Sequence, residues 1–269
     1  ERSHDIAKEI HDQLIKTAEA IPVFDSEFDP QIRTADERFG DFQANGTLPF
    51  AKKKQLNPRE LAQTLIDALP ENKDWEVSLA GPGFINFKLS STCLYQWLKA
   101  FAHREQIEAA MATKEPKRVT LDFSSPNTAK QMHVGHIRST IIGESLARLL
   151  KLHGHQVIKD NHLGDWGTQF GILLYAIKRE KIDLNNLGDQ PIARLENLYR
   201  SGNQWIKEDK QALKTAREEL VKLQGGDEEN LCLWQKIRDL SMESFEEVYD
   251  LLGVSFDHAH GESFYRDQV

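Results

Sequence analysis

Ile6, Ile10 and Leu14 recur every four residues through an otherwise charged opening stretch. That spacing stacks apolar side chains on one face and predicts an amphipathic helix. Two prolines in IPVFDSEFDP, residues 21–30, end the pattern, and RFGDFQANGTLPFAKKK follows, rich in Gly, Asn and aromatic residues. Asn57-Pro58-Arg59-Glu60 then reads as a helix start, with an Asn cap, Pro at the first position and Glu at the third. Leu61, Leu65, Ile66 and Leu69 supply its inward face. Trp75–Ala80 and Phe84–Leu89 alternate apolar and polar residues around Gly81-Pro82-Gly83, which predicts two strands joined by a tight turn. A helix from Ser90 or Ser91 to about Ile107 completes a small α/β domain over residues 1–112.

MATKEPKR, with Pro116, is polar enough to be a linker. Beyond it, Val119–Phe123 is a short apolar run for a buried strand. Gly135–Leu152 has helical spacing, with Gly154 at its C-terminal cap, and Gln156–Asn161 makes a second strand. A strand, a helix and a strand of these lengths form a βαβ unit, which implies a parallel sheet and a right-handed crossover. From Gln169 to Gly253 the pattern is mostly helical, broken near Leu184–Asp189 and at Gly225-Gly226. Val254-Ser255-Phe256 is placed to return to the sheet.

A length of 269 residues favours two domains over one. No segment approaches the roughly 18 consecutive apolar residues of a membrane helix, and ERSHDIAKEIHDQL is too polar for a secretory signal. Cys93 and Cys232, the only cysteines, sit in apolar helical contexts and are expected as buried free thiols in a reducing compartment. The net charge of −8 is spread over both halves, with no basic tail. This excludes a DNA coat held by counterion release but leaves room for an enzyme that meets RNA through a local patch.

The chemistry concentrates in SSPNTAKQMHVGH, Ser124 to His136, where the first strand of the βαβ unit gives way to its helix. Ligands of open parallel sheets sit beyond the carboxyl ends of strands, facing helix N-termini with free N–H groups. Gly135 there lets a flat ring approach the backbone. His133 and His136 can donate to phosphate oxygens, and Lys130 adds a full positive charge. The set suits in-line attack on a nucleotide α-phosphate, where stabilising charge matters more than a protein nucleophile. The bland alternative is a pair of helix-capping histidines. A zinc site lacks a third ligand at metal spacing.

DFSSPNTAKQMHVGHIRSTIIGESLARLL followed by DNHLGDWGTQFG resembles the first half of the catalytic domain of arginyl-tRNA synthetases, and HVGH resembles the HIGH signature of class I synthetases. RFGDFQANGTLPFAKK is similar to that family's N-terminal domain and points to a bacterial source. The resemblance implies an α/β chain, with a small tRNA-binding domain at 1–112 and part of a Rossmann-like catalytic domain at 113–269. It implies arginyl-adenylate formation from L-arginine and ATP, with Mg2+ on the phosphates, and transfer to tRNA(Arg) in the cytoplasm. His133, Gly135 and His136 would hold ATP, and Lys130 would stand in for a lysine that many members lack downstream. Ser125 and Asn127 match positions near the α-amino end of arginine, and His136 one near its carboxylate. Asp122, at the strand end, could orient the loop or help neutralise the arginine ammonium. Glu262, in His260-Gly261-Glu262-Ser263, matches a carboxylate that pairs with the guanidinium. Phe39, Phe42, Gln43 and Asn45 would meet the tRNA elbow, although Phe39 and Phe42 could equally fill the small domain's core. Lys52-Lys53-Lys54 could meet phosphate or face solvent, and Trp166 in GDWG is as plausible a packing anchor as a ligand contact.

The family's usual length is about twice this one, so the chain is expected to be an N-terminal fragment that does not catalyse the reaction alone. Two other readings remain open: a small nucleotidyltransferase using the H-x-G-H site, and a noncatalytic tRNA-binding module of the same fold.

Overall fold

The computed structural model describes residues 3–268. The chain separates into two compact units that divide between Ala112 and Thr113.

The first unit opens with α1 (Ile6–Glu19), started by Asp5, whose side chain accepts the N–H of Lys8. Its apolar stripe, Ile6, Ile10 and Leu14, is buried as the spacing requires. Next come β1 (Ile32–Thr34), β2 (Phe42–Ala44), α2 (Thr47–Lys54), α3 (Pro58–Ala68), β3 (Trp75–Ala80) and β4 (Phe84–Leu89). The strands form one antiparallel sheet in the order β1-β2-β4-β3. Asn57 caps α3 as expected, accepting N–H bonds from Arg59 and Glu60. Leu14, Leu65, Ile85 and Phe87 are almost wholly buried between helices and sheet. Each such side chain contributes about 1.5–3 kcal/mol by leaving water.

The expected helix to Ile107 is in fact two, α4 (Ser91–Ala100) and α5 (Arg104–Met111). Phe101 is buried and leaves helical geometry with φ −128°. The Trp97 ring is tilted against it at 5.3 Å and donates to the His4 carbonyl. Anchoring those rings ends the helix one turn before the polar run that follows.

The second unit contains β5 (Arg118–Asp122), α6 (Val134–Leu152) and β6 (Gln156–Asp160). The two strands pair in parallel, with Val119 opposite Val157 and Asp122 opposite Asp160. Gly143 lets α6 lie against this pair: a Cβ there would come within 2.2 Å of the Phe123 ring. Val134, Ile141, Ile142, Leu146 and Leu149 leave an apolar stripe of α6 exposed. Four helices follow: α7 (Thr168–Glu180), α8 (Pro191–Glu208), α9 (Lys210–Gln224) and α10 (Glu228–Leu252). They pack around Phe170, Leu174, Leu195, Leu223 and Ile237. Lys178 bridges α7 to α9 and α10 through Glu219 at 2.7 Å and Glu229 at 3.1 Å.

Val254–Phe256 does not form a strand. The chain instead reaches β6 slightly later, where the N–H groups of Asp257 and His258 both donate to the Lys159 carbonyl and a single bridge joins Asp160 to His258. Two donors converging on one carbonyl break the alternation a ladder needs. Cys93 is buried as expected, but Cys232 is exposed: it lies two residues before Trp234, on the side of α10 away from the one that buries Trp234 and Ile237. No helix among the described residues is long and apolar enough to cross a membrane.

Candidate active site

Three segments meet beyond the carboxyl ends of β5 and β6. The first is the loop Phe123–Met132, leading to α6. The second, His162–Gly167, follows β6. The third is the stretch Ala259–Ser263 after α10.

The first loop contains three non-glycine residues at positive φ: Ser124 at 74°, Ser125 at 49° and Ala129 at 61°. Left-handed serine and alanine cost free energy, and such strain persists only where the surroundings enforce it. Here they do. The Ser125 N–H donates to Asn161 Oδ1 at 3.0 Å, and Asn161 Nδ2 donates to the Tyr249 hydroxyl at 2.9 Å. That hydroxyl also lies 2.6 Å from Ser124 Oγ. The Ala129 N–H donates to Ser241 Oγ at 2.9 Å. Tyr249 and Ser241 both belong to α10, so a helix remote in sequence holds the loop from below.

The predicted residues distribute as follows. Ser125 Oγ donates to Asp122 Oδ1 at 3.1 Å, which ties the loop to the end of β5. Asn127 is exposed and bridges to Gly164 of the second segment. Lys130 is half-buried, its ammonium 5.5 Å from the centre of the Tyr199 ring. His133 and His136 cap α6 reciprocally: His133 Nδ1 accepts the Gly135 N–H at 3.1 Å, and His136 Nδ1 accepts the His133 N–H at 3.2 Å. Their rings stand 4.0 Å apart. Burial first, and then the His133 charge, push the His136 pKa below its ordinary value, which favours the neutral, accepting ring. A Cβ on Gly135 would lie 2.9 Å from His133 Cε1, so the glycine makes room for this cap. A shallow, mostly apolar groove beside it is lined by Leu121, Phe123, Gly135, Arg138, Ile142 and Leu146.

Glu262 is exposed and its Oε2 accepts the Trp166 N–H at 3.3 Å, so the third segment does meet the GDWG loop. Trp166 packs edge-on to Trp234 at 5.4 Å, and the Arg266 guanidinium lies 5.3 Å from its ring centre. Among the described residues, no group of three or more His, Cys, Asp or Glu side chains is placed to hold a metal ion.

In the first unit, Phe39 is 49% exposed under the Arg38 guanidinium. Phe42 is half-buried against the core, and Gln43 donates to Asn86 across the sheet at 2.8 Å. Asn45 Oδ1 is buried without a hydrogen-bond partner. Lys53 pairs with Glu27 at 2.7 Å and Lys54 with Asp25, while Lys52 faces solvent.

Sequence reasoning missed Asp165, Asn161, Arg238, Ser241 and Tyr249. The last three look like ordinary positions of a long helix, and only folding brings them under the loops.

A βαβ unit with a histidine-capped helix at its strand ends defines a Rossmann-like α/β domain. The chain belongs to the family of class I tRNA synthetase catalytic domains (R), whose pattern matches residues 98–269, and residues 4–89 match the arginyl-tRNA synthetase N-terminal domain. It is 40% identical over 264 residues to an arginine–tRNA ligase of Shewanella loihica, covering 96% of this chain and 45% of that protein. A ligase of the same name from Crocosphaera subtropica is 43% identical over 266 residues, with 97% and 44% covered. Among solved structures, the arginyl-tRNA synthetase of Plasmodium falciparum superposes with a TM-score of 0.72 at 28% identity, over 98% of this chain and 47% of that one. The chain thus spans a little under half the length of the relatives it matches.

Proposed function

We propose that these 269 residues serve in arginine–tRNA ligation. The arginine carboxylate attacks the ATP α-phosphate, pyrophosphate leaves, and the resulting arginyl-adenylate passes its acyl group to the 3′-terminal ribose of tRNA(Arg). The observation that carries this reading is the convergence beyond the carboxyl ends of β5 and β6 of an exposed carboxylate, Glu262, a histidine-capped helix N-terminus and the strained SSPN loop.

In this reading His133, Gly135 and His136 cradle the ATP phosphates, the histidines donating through Nε2–H while each Nδ1 keeps its capping bond. Lys130 leaves the Tyr199 ring to add charge as the pentavalent α-phosphate forms. Ser125, Asn127 and Asp122 take the ammonium end of arginine, and His136 stands near its carboxylate. Glu262 pairs with the guanidinium, whose planar fork matches a carboxylate. Mg2+ would accompany the ATP phosphates and supply charge to their oxygens. Phe39, Phe42, Gln43 and Asn45 contact the tRNA elbow, and the enzyme works in the cytoplasm.

The test is Glu262→Gln in a full-length synthetase carrying this sequence. Bound arginine would bury this pair, and removing one partner of a buried ion pair typically costs about 3–5 kcal/mol, so KM for arginine should rise by orders of magnitude. KM for ATP should hardly move. A near-normal arginine KM would show that Glu262 is only a surface charge.

A further inference from the structure

We propose that Asp165 is a positioning residue for arginine recognition, its buried carboxylate fixing the segment that presents Glu262. The proposal rests on the reading that Glu262 meets the guanidinium.

Asp165 is wholly buried, 0% exposed. Its Oδ1 accepts the Ser263 N–H at 2.9 Å, and its Oδ2 accepts the Ser263 hydroxyl at 2.8 Å and Arg238 Nε at 3.0 Å. Arg238 also reaches the Ala259 carbonyl at 3.4 Å. On the other side of Glu262, a Cβ at Gly261 would lie 2.2–2.3 Å from the Asp165 carboxylate. The residues before and after Glu262 therefore both rest on this one side chain. Among the described residues, Glu262 is tied at its backbone to the Leu163 carbonyl at 3.0 Å, and at its side chain by the long bond from the Trp166 N–H. Its side chain stays exposed. An ion pair whose work was only to hold α10 to the second segment would not need its carboxylate to straddle a solvent-facing acid.

Replacing the carboxylate with an amide keeps the shape but turns one acceptor into a donor. That NH2 would face the Ser263 N–H on one side, or Arg238 and the Ser263 hydroxyl on the other. The Gly261–Ser263 segment must then shift, and a misplacement near 1 Å is enough to cost about 10²-fold in reactivity.

The experiment is a double-mutant cycle in a full-length synthetase carrying this sequence, read by pyrophosphate exchange. Asp165→Asn should lower kcat/KM for arginine by about 10²-fold, mainly through KM, with KM for ATP within about twofold. In a Glu262→Gln background the same change should add little, because the two act through one contact. Ser263→Ala, which removes one hydroxyl bond and is mild enough to fold, should raise arginine KM several-fold and spare ATP. If Glu262→Gln has no effect, the guanidinium reading fails and this proposal with it. If Glu262→Gln acts while Asp165→Asn, or Ser263→Ala where Asp165→Asn does not fold, leaves arginine KM unchanged, only the positioning role is overturned. Equal losses for arginine and ATP, or equal losses in both backgrounds, also overturn it.

Discussion

His136 is the residue that joins helix capping to the proposed phosphate contact. With its pKa lowered in the fold, first by burial and then by the neighbouring His133 charge, the ring favours the neutral form that caps α6. The unfolded chain, with an ordinary value of 6.5, takes up the proton first as pH falls. Stability is therefore lost as pH drops through 6.5 toward the folded pKa, and the loss levels off below it. His136→Gln removes that linkage, so its melting temperature should fall less than the parent's on acidification. Parallel melting curves for the two proteins would mean that His136 titrates as it does in water. At this scale HVGH was legible, because the cap bonds are local. The chemistry of Asp165 was not, because its partners lie 73 and 98 residues away in sequence.

Helix α10 is the element that organises the candidate site. From one face it sends Trp234 to the Asp165 carbonyl at 2.7 Å, Arg238 to the Asp165 carboxylate, Ser241 to the Ala129 N–H and Tyr249 to Ser124 and Asn161. Tyr249→Phe deletes the hydroxyl that joins Ser124 and Asn161 and leaves both buried without it. Such an orphaned group costs about 1–3 kcal/mol, so the denaturant midpoint should fall accordingly. An unchanged midpoint would mean that the left-handed serines are held by their own loop. Elements with strong periodicity, such as β3, β4 and α6, lie close to where the pattern puts them. β1, β2 and α2 went unassigned, because a three-residue strand shows too few positions for any period to emerge.

Over the whole molecule, the first unit carries a core of its own, with α1, α3 and a four-stranded sheet enclosing Leu14, Leu65 and Phe87. Residues 1–112 expressed alone should give a single cooperative denaturant transition, and a gradual one would refute this autonomy. The exposure of Phe39 separates recognition from packing. Phe39→Ala should leave that transition in place yet weaken tRNA(Arg) binding by about 1–3 kcal/mol, the value of a base stacked on an aromatic ring. Binding at parental strength would remove Phe39 from the tRNA contact.

What the sequence determined by itself is whatever depends on neighbours along the chain: the amphipathic stripe of α1, the helix start at Asn57, the hairpin around Gly81-Pro82-Gly83, the βαβ unit and the histidine cap. Hydrogen bonds between residues two to four apart need no tertiary partner, so residue type and spacing suffice to foretell them. Only the tertiary structure decided that α4 and α5 are separate, that Cys232 faces solvent, and that Asp165, Arg238, Ser241 and Tyr249 stand beneath the candidate site. Those outcomes depend on which buried groups meet across 69 to 125 residues of chain. A buried donor or acceptor must find its partner wherever the packing puts one, and no local pattern records where that will be.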